Sequence, residues 1–203
     1  MIISTINFAI PSILTISVAG ERKQEMVYIL LAEGFEEAEA IFPLDLLRRA
    51  EIDVKTVGIG ASKIITGSHG IPVIADISAD GATDKIDMLI LPGGMPGTTN
   101  LDISPDVNLL IDRTIKDGGF IAAICAAPSI LGKRGLLKGK EAVCYPGFEK
   151  WLHGARISEK SVVRDDRIIT AAGAGVAAQF GFELISALLS PETADKIKAA
   201  ILI

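Results

Sequence analysis

Short apolar runs separated by segments with helical spacing are the feature that most constrains the fold. Examples are MVYILL (26–31), DMLIL (87–91) and FIAAIC (120–125), in which nearly every side chain is apolar. A strand that is apolar on both faces must be covered on both faces, which is typical of a parallel sheet with helices on each side. The pattern predicts an α/β domain with a doubly wound, mostly parallel sheet sandwiched by helices.

The same pattern places the individual elements along the chain. We predict helices where acidic residues open a segment of helical spacing and basic residues or glycine close it. These helices span residues 34–50, 104–118, 127–137, 174–189 and 191–202, and strands span 26–31, 53–59, 87–94, 120–125 and 142–146. Residues 64–76 read as two short extended pieces around a GSHG turn, and residues 161–170 as a hairpin that turns at Asp165-Asp166.

Composition limits the class of protein. The 203 residues are 49% hydrophobic and only 5% aromatic, so the core should be aliphatic and one domain is expected. The formal net charge is −5 and basic residues are not clustered, which argues against a nucleic-acid surface. Two cysteines, Cys125 and Cys144, are too few for a disulfide framework, so we predict a reducing, cytoplasmic location.

The first 25 residues differ from the rest, because residues 1–20 contain no charged side chain. Pro11 and several polar residues weaken a transmembrane interpretation, and Ser17-Val18-Ala19 resembles a signal-peptide cleavage site. The favoured interpretation is that translation begins at Met26. In each case residues 1–25 lie outside the fold, and residues 26–203 form one domain. No membrane association is expected unless residues 1–25 are a true part of the protein.

Cys125 ends a predicted strand and precedes a predicted helix, in AAICAAP (122–128). A sharp turn there would lift the thiol above the sheet as a nucleophile. The helix should lower the pKa of the thiol, and the N–H of Ala126 would be free to bind an oxyanion. The alternative is a buried structural cysteine, which is common.

Two other strand ends offer polar or flexible groups at the same edge of the sheet, Ala32-Glu33-Gly34 and Pro92-Gly93-Gly94. Gly93 and Gly94 would allow close backbone approach, and one N–H there could complete an oxyanion hole. The alternative is an ordinary turn.

Three acids, Glu36, Glu37 and Glu39, lie in the first turns of the first predicted helix. Glu36 and Glu39 are near neighbours on a helix, whereas Glu37 points elsewhere. They are either partners of the helix dipole, or one of them is drawn inward, where burial beside a thiol would raise its pKa.

The remaining residues favour neither a metal site nor a serine hydrolase. The two histidines, His69 and His153, and the two cysteines lack metal-ligand spacing, so no metal is predicted. No G-x-S-x-G motif is present.

Three segments in order, AEGFEEAEA (32–40), LPGGMPGTTNL (91–101) and IAAICAAP (121–128), resemble the ThiJ/PfpI superfamily and its DJ-one-like branch. The resemblance covers about residues 26–189. It implies a flavodoxin-like fold of the class I glutamine amidotransferase type, a homodimer and no cofactor. It also implies that Cys125 is the nucleophile, that Glu39 binds the sulfur, and that the N–H groups of Gly94 and Ala126 form the oxyanion hole.

The sequence departs from the family pattern at two places. Tyr145 stands where many members carry histidine, so a full Cys-His-acid triad is not expected and Tyr145 becomes a possible hydrogen-bond donor. Ala174 stands where close relatives often carry proline. The resemblance also places the GSHG hairpin at the dimer interface, where His69 would reach the partner's pocket.

The resemblance implies an enzyme acting on α-oxoaldehydes or glycated substrates, of the glyoxalase or deglycase type, through Cys125 and Glu39. The alternative is an oxidative-stress sensor or chaperone that uses the oxidisable Cys125. An amidase or peptidase is a lower alternative, since Tyr145 replaces the expected histidine.

Overall fold

A computed structural model describes residues 26–203, within which eleven strands and six α-helices form the fold. The extension predicted over residues 1–25 lies outside the described residues. The strands are β1 (Met26–Leu31), β2 (Asp53–Gly58), β3 (Ile64–Thr66), β4 (Pro72–Ile74), β5 (Ile77–Ser78), β6 (Met88–Leu91), β7 (Phe120–Ile124), β8 (Glu141–Ala142), β9 (Arg156–Ile157), β10 (Val162–Asp165) and β11 (Ile168–Ala171). The helices are α1 (Glu37–Arg49), α2 (Gly97–Ile103), α3 (Pro105–Asp117), α4 (Pro128–Lys133), α5 (Ala177–Leu188) and α6 (Pro191–Ala200).

The central sheet has the order β10-β11-β7-β6-β1-β2-β5. All neighbouring strands are parallel except β10 and β11. From β1 the chain builds outward first to β2 and β5 and then, in the other direction, to β6, β7 and β11. The strand order therefore reverses between β1 and β6, and the loops that follow these strands diverge there to leave a crevice at their carboxyl ends.

Both faces of the sheet are covered, as the apolar runs predicted. In β1, Val27, Ile29 and Leu31 pack in the same core layer as α1, α5 and α6. Tyr28 and Leu30 point to the opposite layer, which holds α2, α3 and α4. This alternation buries all five side chains and confirms the flavodoxin-like, doubly wound α/β sandwich.

Local sequence signals explain where several helices begin and end. Ser104 caps α3 by accepting a hydrogen bond from the N–H of Val107, and Pro105 follows at the first helical position. Gly118 ends α3 in the left-handed conformation, with φ +72°. Ser190 and Pro191 open α6 in the same way, with the Ser190 side chain accepting a hydrogen bond from the N–H of Thr193.

Several predicted boundaries are wrong. The first helix begins at Glu37 rather than residue 34, because residues 32–36 form the turn over the crevice. Helix α2 was not predicted, since its glycine and two threonines give a weak helical signal. The strand predicted over 142–146 is only Glu141–Ala142, after which the chain turns toward Cys125.

The hairpin over 161–170 is confirmed in pairing, although its turn lies at Asp166 and Arg167. Its second strand, β11, also pairs parallel with β7 and is therefore an interior strand of the sheet. Its carboxyl end consequently lies beside that of β7, at the same edge of the sheet as the crevice. A simple hairpin does not predict this position.

Among residues 26–203, none of the helices combines the length and apolar character needed to cross a bilayer. The cytoplasmic location and the interpretation of residues 1–25 stay predictions.

Candidate active site

Cys125 lies immediately after β7, in a backbone conformation that is unusual for a residue with a side chain. Its φ is +64°, in the left-handed region, so the strained turn predicted at this strand-to-helix junction is present. The N–H of Cys125 donates to the carbonyl of Ala171 (2.9 Å), and the N–H of Tyr145 donates to the carbonyl of Cys125 (2.8 Å). These bonds hold the turn, and Cys125 as a residue remains partly exposed to solvent.

Glu39, in the first turn of α1, is the acidic residue drawn inward beside Cys125. Its side chain is completely buried, and its Oε2 accepts a hydrogen bond from the N–H of Gly93 (2.8 Å). Its other oxygen, Oε1, is buried without a hydrogen-bond partner of good geometry. The Cys125 thiol is the nearby group that interacts with this carboxyl as a proton donor. The two residues that the family resemblance paired therefore lie side by side, both next to the Cα of Gly93.

Gly93 allows that contact because it has no side chain. A Cβ at this position would lie 2.6 Å from Oε2 of Glu39 and 2.7 Å from Cβ of Cys125. Real Cβ atoms do not come this close to other atoms, and the neighbouring backbone cannot move far in a packed interior. A glycine at residue 93 is therefore required for the carboxyl and the thiol to meet.

The backbone N–H groups of Gly94 and Ala126 point to the sulfur of Cys125, and both favour its ionised form. Gly94 has φ +87°, and a Cβ there would lie 2.4 Å from the backbone N of Glu36. The structure thus brings together Cys125, Glu39, Gly94 and Ala126, while the oxyanion-hole role of the two amides stays a prediction.

Burial raises the pKa of Glu39 to about 7, and the neighbouring Glu36 carboxylate acts in the same direction. Hydrogen bonds from the Cys125 thiol and from the backbone N–H groups of Gly93 and Ala174 oppose this shift without cancelling it. The raised pKa predicted for a carboxyl buried beside the thiol is confirmed. Glu39 is therefore poised to take up or release a proton near neutral pH.

The lowered pKa predicted for Cys125 is wrong. Burial, followed by the adjacent Glu39 carboxylate, raises the pKa of the thiol to about 12, and the two amide N–H groups only moderate the effect. Helix α4 has six residues and begins three residues after Cys125, so its dipole is too weak to outweigh a nearby carboxylate. Because the two groups interact, the pair releases its first proton near pH 7 and holds the second far more tightly.

Sequence reasoning missed Gly173, which follows β11 and borders the thiol. A Cβ built on Gly173 would lie 4.0 Å from Sγ of Cys125 and 3.4 Å from the Tyr145 ring. The Tyr145 side chain is half exposed, so its ring stands at the rim of the site. The parallel pairing of β11 with β7 was the missing information, because it puts a fourth strand end beside the thiol.

A family model described as the DJ-1/PfpI family matches residues 25–187. The chain belongs to the DJ-1/PfpI family. Protein dj-1beta of Drosophila melanogaster is 35% identical over 86% of this chain and 95% of its own length. A Caenorhabditis elegans relative, named glutathione-independent glyoxalase DJR-1.2, is 30% identical over 86% of this chain and 94% of its own length.

Solved structures agree with this assignment. A DJ-1 superfamily protein of Salmonella typhimurium, crystallised as a cysteine-to-alanine mutant, superposes with a TM-score of 0.84 at 35% identity. The match covers 88% of this chain and 98% of that one. The DJ-1/PfpI membership inferred from the three sequence segments is thereby confirmed, together with the fold.

His69 lies in the hairpin between β3 and β4 of this DJ-1/PfpI chain and interacts with α1. Its Nδ1 is 3.0 Å from Oε2 of Glu37 and 3.6 Å from Oε1 of Glu36. Burial alone would raise the pKa of Glu37, but hydrogen bonds from His69 and from backbone N–H groups, that of Ile71 included, lower it to about 2. Glu37 therefore holds the hairpin against the first turn of α1.

Oxygen and nitrogen atoms of Glu36, Glu37 and His69 come within 4.8 Å of one another, a juxtaposition that sequence spacing did not reveal. The Glu37 oxygens already accept bonds from the N–H groups of His69 and Ile71 and from the Ser68 hydroxyl. The cluster therefore has a structural role, which is to attach the β3–β4 hairpin to the first turn of α1; we call it the clasp. The predicted approach of His69 to a partner's pocket stays a prediction.

Glu39→Gln should stabilise the protein at alkaline pH, because the folded state raises the pKa of this group. Ionisation of Glu39 weakens folding as pH rises from about 4.5 to about 7, by up to about 3 kcal/mol, and glutamine removes this loss. Urea unfolding at pH 5 and pH 8 should show that the advantage of the mutant over the wild type grows with pH.

Glu37→Gln is the matched control, with the opposite sign. The pKa of Glu37 is lowered in the folded state, so its ionised form stabilises the fold above about pH 4.5 and glutamine should destabilise the protein at both pH values. A Glu39→Gln protein whose stability difference from the wild type is the same at pH 5 and pH 8 would contradict the raised pKa.

Proposed function

We propose that this protein is a cofactor-independent cysteine enzyme that acts on α-oxoaldehydes or on their adducts with other molecules. The observation that carries the proposal is the contact between the Cys125 thiol and a buried Glu39 carboxyl whose pKa is about 7. A nucleophile beside a base that titrates near the working pH suits proton transfer during carbonyl addition. The name of the C. elegans relative, a glutathione-independent glyoxalase, supports this reaction class.

The first step is addition of sulfur to the aldehyde carbon. Because the resting thiol has a raised pKa, Glu39 in its ionised form takes the thiol proton as the carbon–sulfur bond forms. The aldehyde oxygen becomes an alkoxide, which the N–H groups of Gly94 and Ala126 stabilise until Glu39 gives it the proton taken from the thiol. This transfer forms the hemithioacetal and returns Glu39 to its ionised form. The strained turn at Cys125 keeps the sulfur within reach of all three groups.

The second step moves a proton between adjacent carbons. Glu39 removes the hydrogen from the former aldehyde carbon, giving an enediol, and returns a proton to the neighbouring carbon, which leaves a thioester on Cys125. Water then hydrolyses the thioester and releases the thiol. Methylglyoxal and one water become lactate, glyoxal and one water become glycolate, and no net oxidation occurs.

Cys125→Ser should lower methylglyoxal turnover at least a thousandfold, because a serine hydroxyl beside Glu39 is a far weaker nucleophile than the thiol. Lactate formation by the purified protein measures this. Cys144→Ser is the matched control, since Cys144 is buried and interacts with Glu149 rather than Glu39. Turnover of Cys125→Ser at the wild-type rate would refute the mechanism.

The contact with Glu39 also supports a second function, oxidative-stress sensing. If Cys125 is oxidised to a sulfinate, protonated Glu39 is placed to donate a hydrogen bond to one of its oxygens. Mass spectrometry after mild peroxide treatment separates the two functions. Rapid sulfinate formation at Cys125 with no oxoaldehyde turnover favours a sensor or chaperone, and hydrolysis of amide substrates would favour the amidase alternative.

The pH profile of kcat/KM should report the first proton released by the pair. We expect kcat/KM for methylglyoxal to rise about tenfold per pH unit below an apparent pKa near 7 and to level off above it, because Glu39 must be ionised to accept the thiol proton. Glu39→Gln should lose this inflection and about a hundredfold or more in rate. The same inflection in Glu39→Gln would show that another group is the base.

We also propose that the protein forms a homodimer through the β3–β4 hairpin, as the family resemblance implied. The hairpin exposes Ile64, Ile71 and Ile74, and Ile41 and Phe42 are partly exposed on the adjacent face of α1. Exposed apolar groups of this kind are typical of protein interfaces.

Ile74→Glu should therefore shift the dimer toward the monomer, because a charge would be buried in an apolar interface. Light scattering after size-exclusion chromatography at a fixed protein concentration measures the mass. Ile103→Glu is the control, since Ile103 is equally exposed but ends α2, away from the hairpin. A wild-type protein that elutes as a monomer, or an Ile74→Glu protein that stays a dimer, would contradict the proposed interface.

A further inference from the structure

A small gap separates the Cys125 sulfur from the aromatic ring of Tyr145, and Gly173 forms its floor. The position that a Gly173 Cβ would occupy is 4.0 Å from Sγ, 3.4 Å from Cδ2 of Tyr145 and 3.9 Å from Cε2 of Tyr145. These are ordinary van der Waals distances, so a methyl group there would just fill the space between sulfur and ring. The gap exists because residue 173 has no side chain.

The gap is open to solvent on its outer side. Tyr145 is 51% exposed, Gly173 and Cys125 are partly exposed, and the following Ala174 and Gly175 are exposed. The hydrogen bond from the N–H of Tyr145 to the carbonyl of Cys125 keeps the backbone that carries the ring next to the nucleophile. A molecule bound to the sulfur can therefore extend toward solvent along the Tyr145 ring.

We propose that Tyr145 and Gly173 determine specificity by binding the substituent on the carbonyl group that Cys125 attacks. This inference rests on the proposed carbonyl chemistry and names its substrate class. The site accepts uncharged oxoaldehydes whose substituent is flat or apolar, such as phenylglyoxal, because the substituent packs against an aromatic ring. It disfavours oxoacids such as glyoxylate, since the Glu39 carboxylate lies beside the same sulfur and the Glu36 carboxylate in turn adds negative charge near Glu39.

The aromatic ring of Tyr145, rather than its hydroxyl, is the part that acts in this proposal. The ring carbons Cδ2 and Cε2 are the atoms nearest to the gap. Tyr145→Phe should therefore keep kcat/KM for phenylglyoxal within about twofold. Tyr145→Ala should raise KM for phenylglyoxal about threefold to tenfold, the usual value of one aromatic contact, and leave that for glyoxal unchanged.

Gly173→Ala is the sharper test, because alanine adds one methyl group at the floor of the gap. The backbone of residue 173 is extended, with φ 162° and ψ −172°, so alanine is compatible with it. We expect kcat/KM for phenylglyoxal to fall at least tenfold more than kcat/KM for glyoxal, which carries no substituent to place there. Gly175→Ala is the matched control, since a Cβ at that position meets no other atom within 4 Å.

Two results would overturn the proposal. One is an equal effect of Gly173→Ala on glyoxal and phenylglyoxal, including no effect on either. The other is a loss in Tyr145→Phe as large as that in Tyr145→Ala, which would assign the role to the hydroxyl group. Thermal unfolding of each variant identifies any protein that has simply lost its fold, and Gly173→Ser then serves as a second variant with a similar side-chain size.

A covalent readout separates this proposal from the proposed function. Iodoacetamide and N-phenyl-2-iodoacetamide each alkylate a thiol by displacing iodide, and mass spectrometry measures the rate at Cys125 without any turnover. Gly173→Ala should slow the N-phenyl reagent at least tenfold more than iodoacetamide. If the wild type turns over no oxoaldehyde but Gly173→Ala still slows the N-phenyl reagent selectively, the enzyme proposal fails while the specificity site stands. If alkylation slows equally with both reagents, the specificity site fails.

Discussion

The contact between the Glu39 carboxyl and the Cys125 thiol depends on one steric constraint, the missing side chain of Gly93. Neighbouring strands of a sheet lie about 4.8 Å apart, so the ends of β6 and β7 bring residues 93 and 125 together whatever their side chains are. Helix α1 packs on one face of the sheet and places the Glu39 carboxyl next to residue 93, whose N–H it binds. Any side chain at residue 93 would occupy the place where carboxyl and thiol now meet.

The site contains several features that oppose folding. Cys125 adopts a left-handed backbone conformation, Glu39 is buried with a raised pKa, and one of its oxygens has no hydrogen-bond partner of good geometry. Strain of this kind persists only where the surrounding structure over-determines it. Here two packed layers cover the sheet, and the turn is held by the hydrogen bond that the N–H of Cys125 donates to Ala171 and the one that its carbonyl accepts from Tyr145. The clasp of Glu37 and the hairpin adds support from the side of α1.

Sequence reasoning succeeded where a signal is local or where a motif is specific. The apolar runs predicted the covered sheet, and the three segments around Glu39, Gly94 and Cys125 indicated the DJ-1/PfpI family, which the family model confirms. It failed where the outcome depends on distance in space. The pKa of Cys125 was predicted from the helix that follows it, but burial and the Glu39 carboxylate, which is 86 residues away in the sequence, dominate. Gly173 carries no such local signal, because only the parallel pairing of β11 with β7 places it beside the thiol.

By itself, the sequence determined the fold class, the family and the identity of the residues at the ends of the strands, because hydrophobic periodicity and short motifs are properties of neighbours along the chain. Only the tertiary structure decided which of these residues interact and with what strength. Both Glu37 and Glu39 are buried acids on one helix turn, yet one has a pKa of about 2 and the other of about 7. The difference arises because N–H donors of the β3–β4 hairpin surround Glu37, whereas Glu39 faces an apolar interior and a thiol, and electrostatic energies depend on such distances rather than on sequence position.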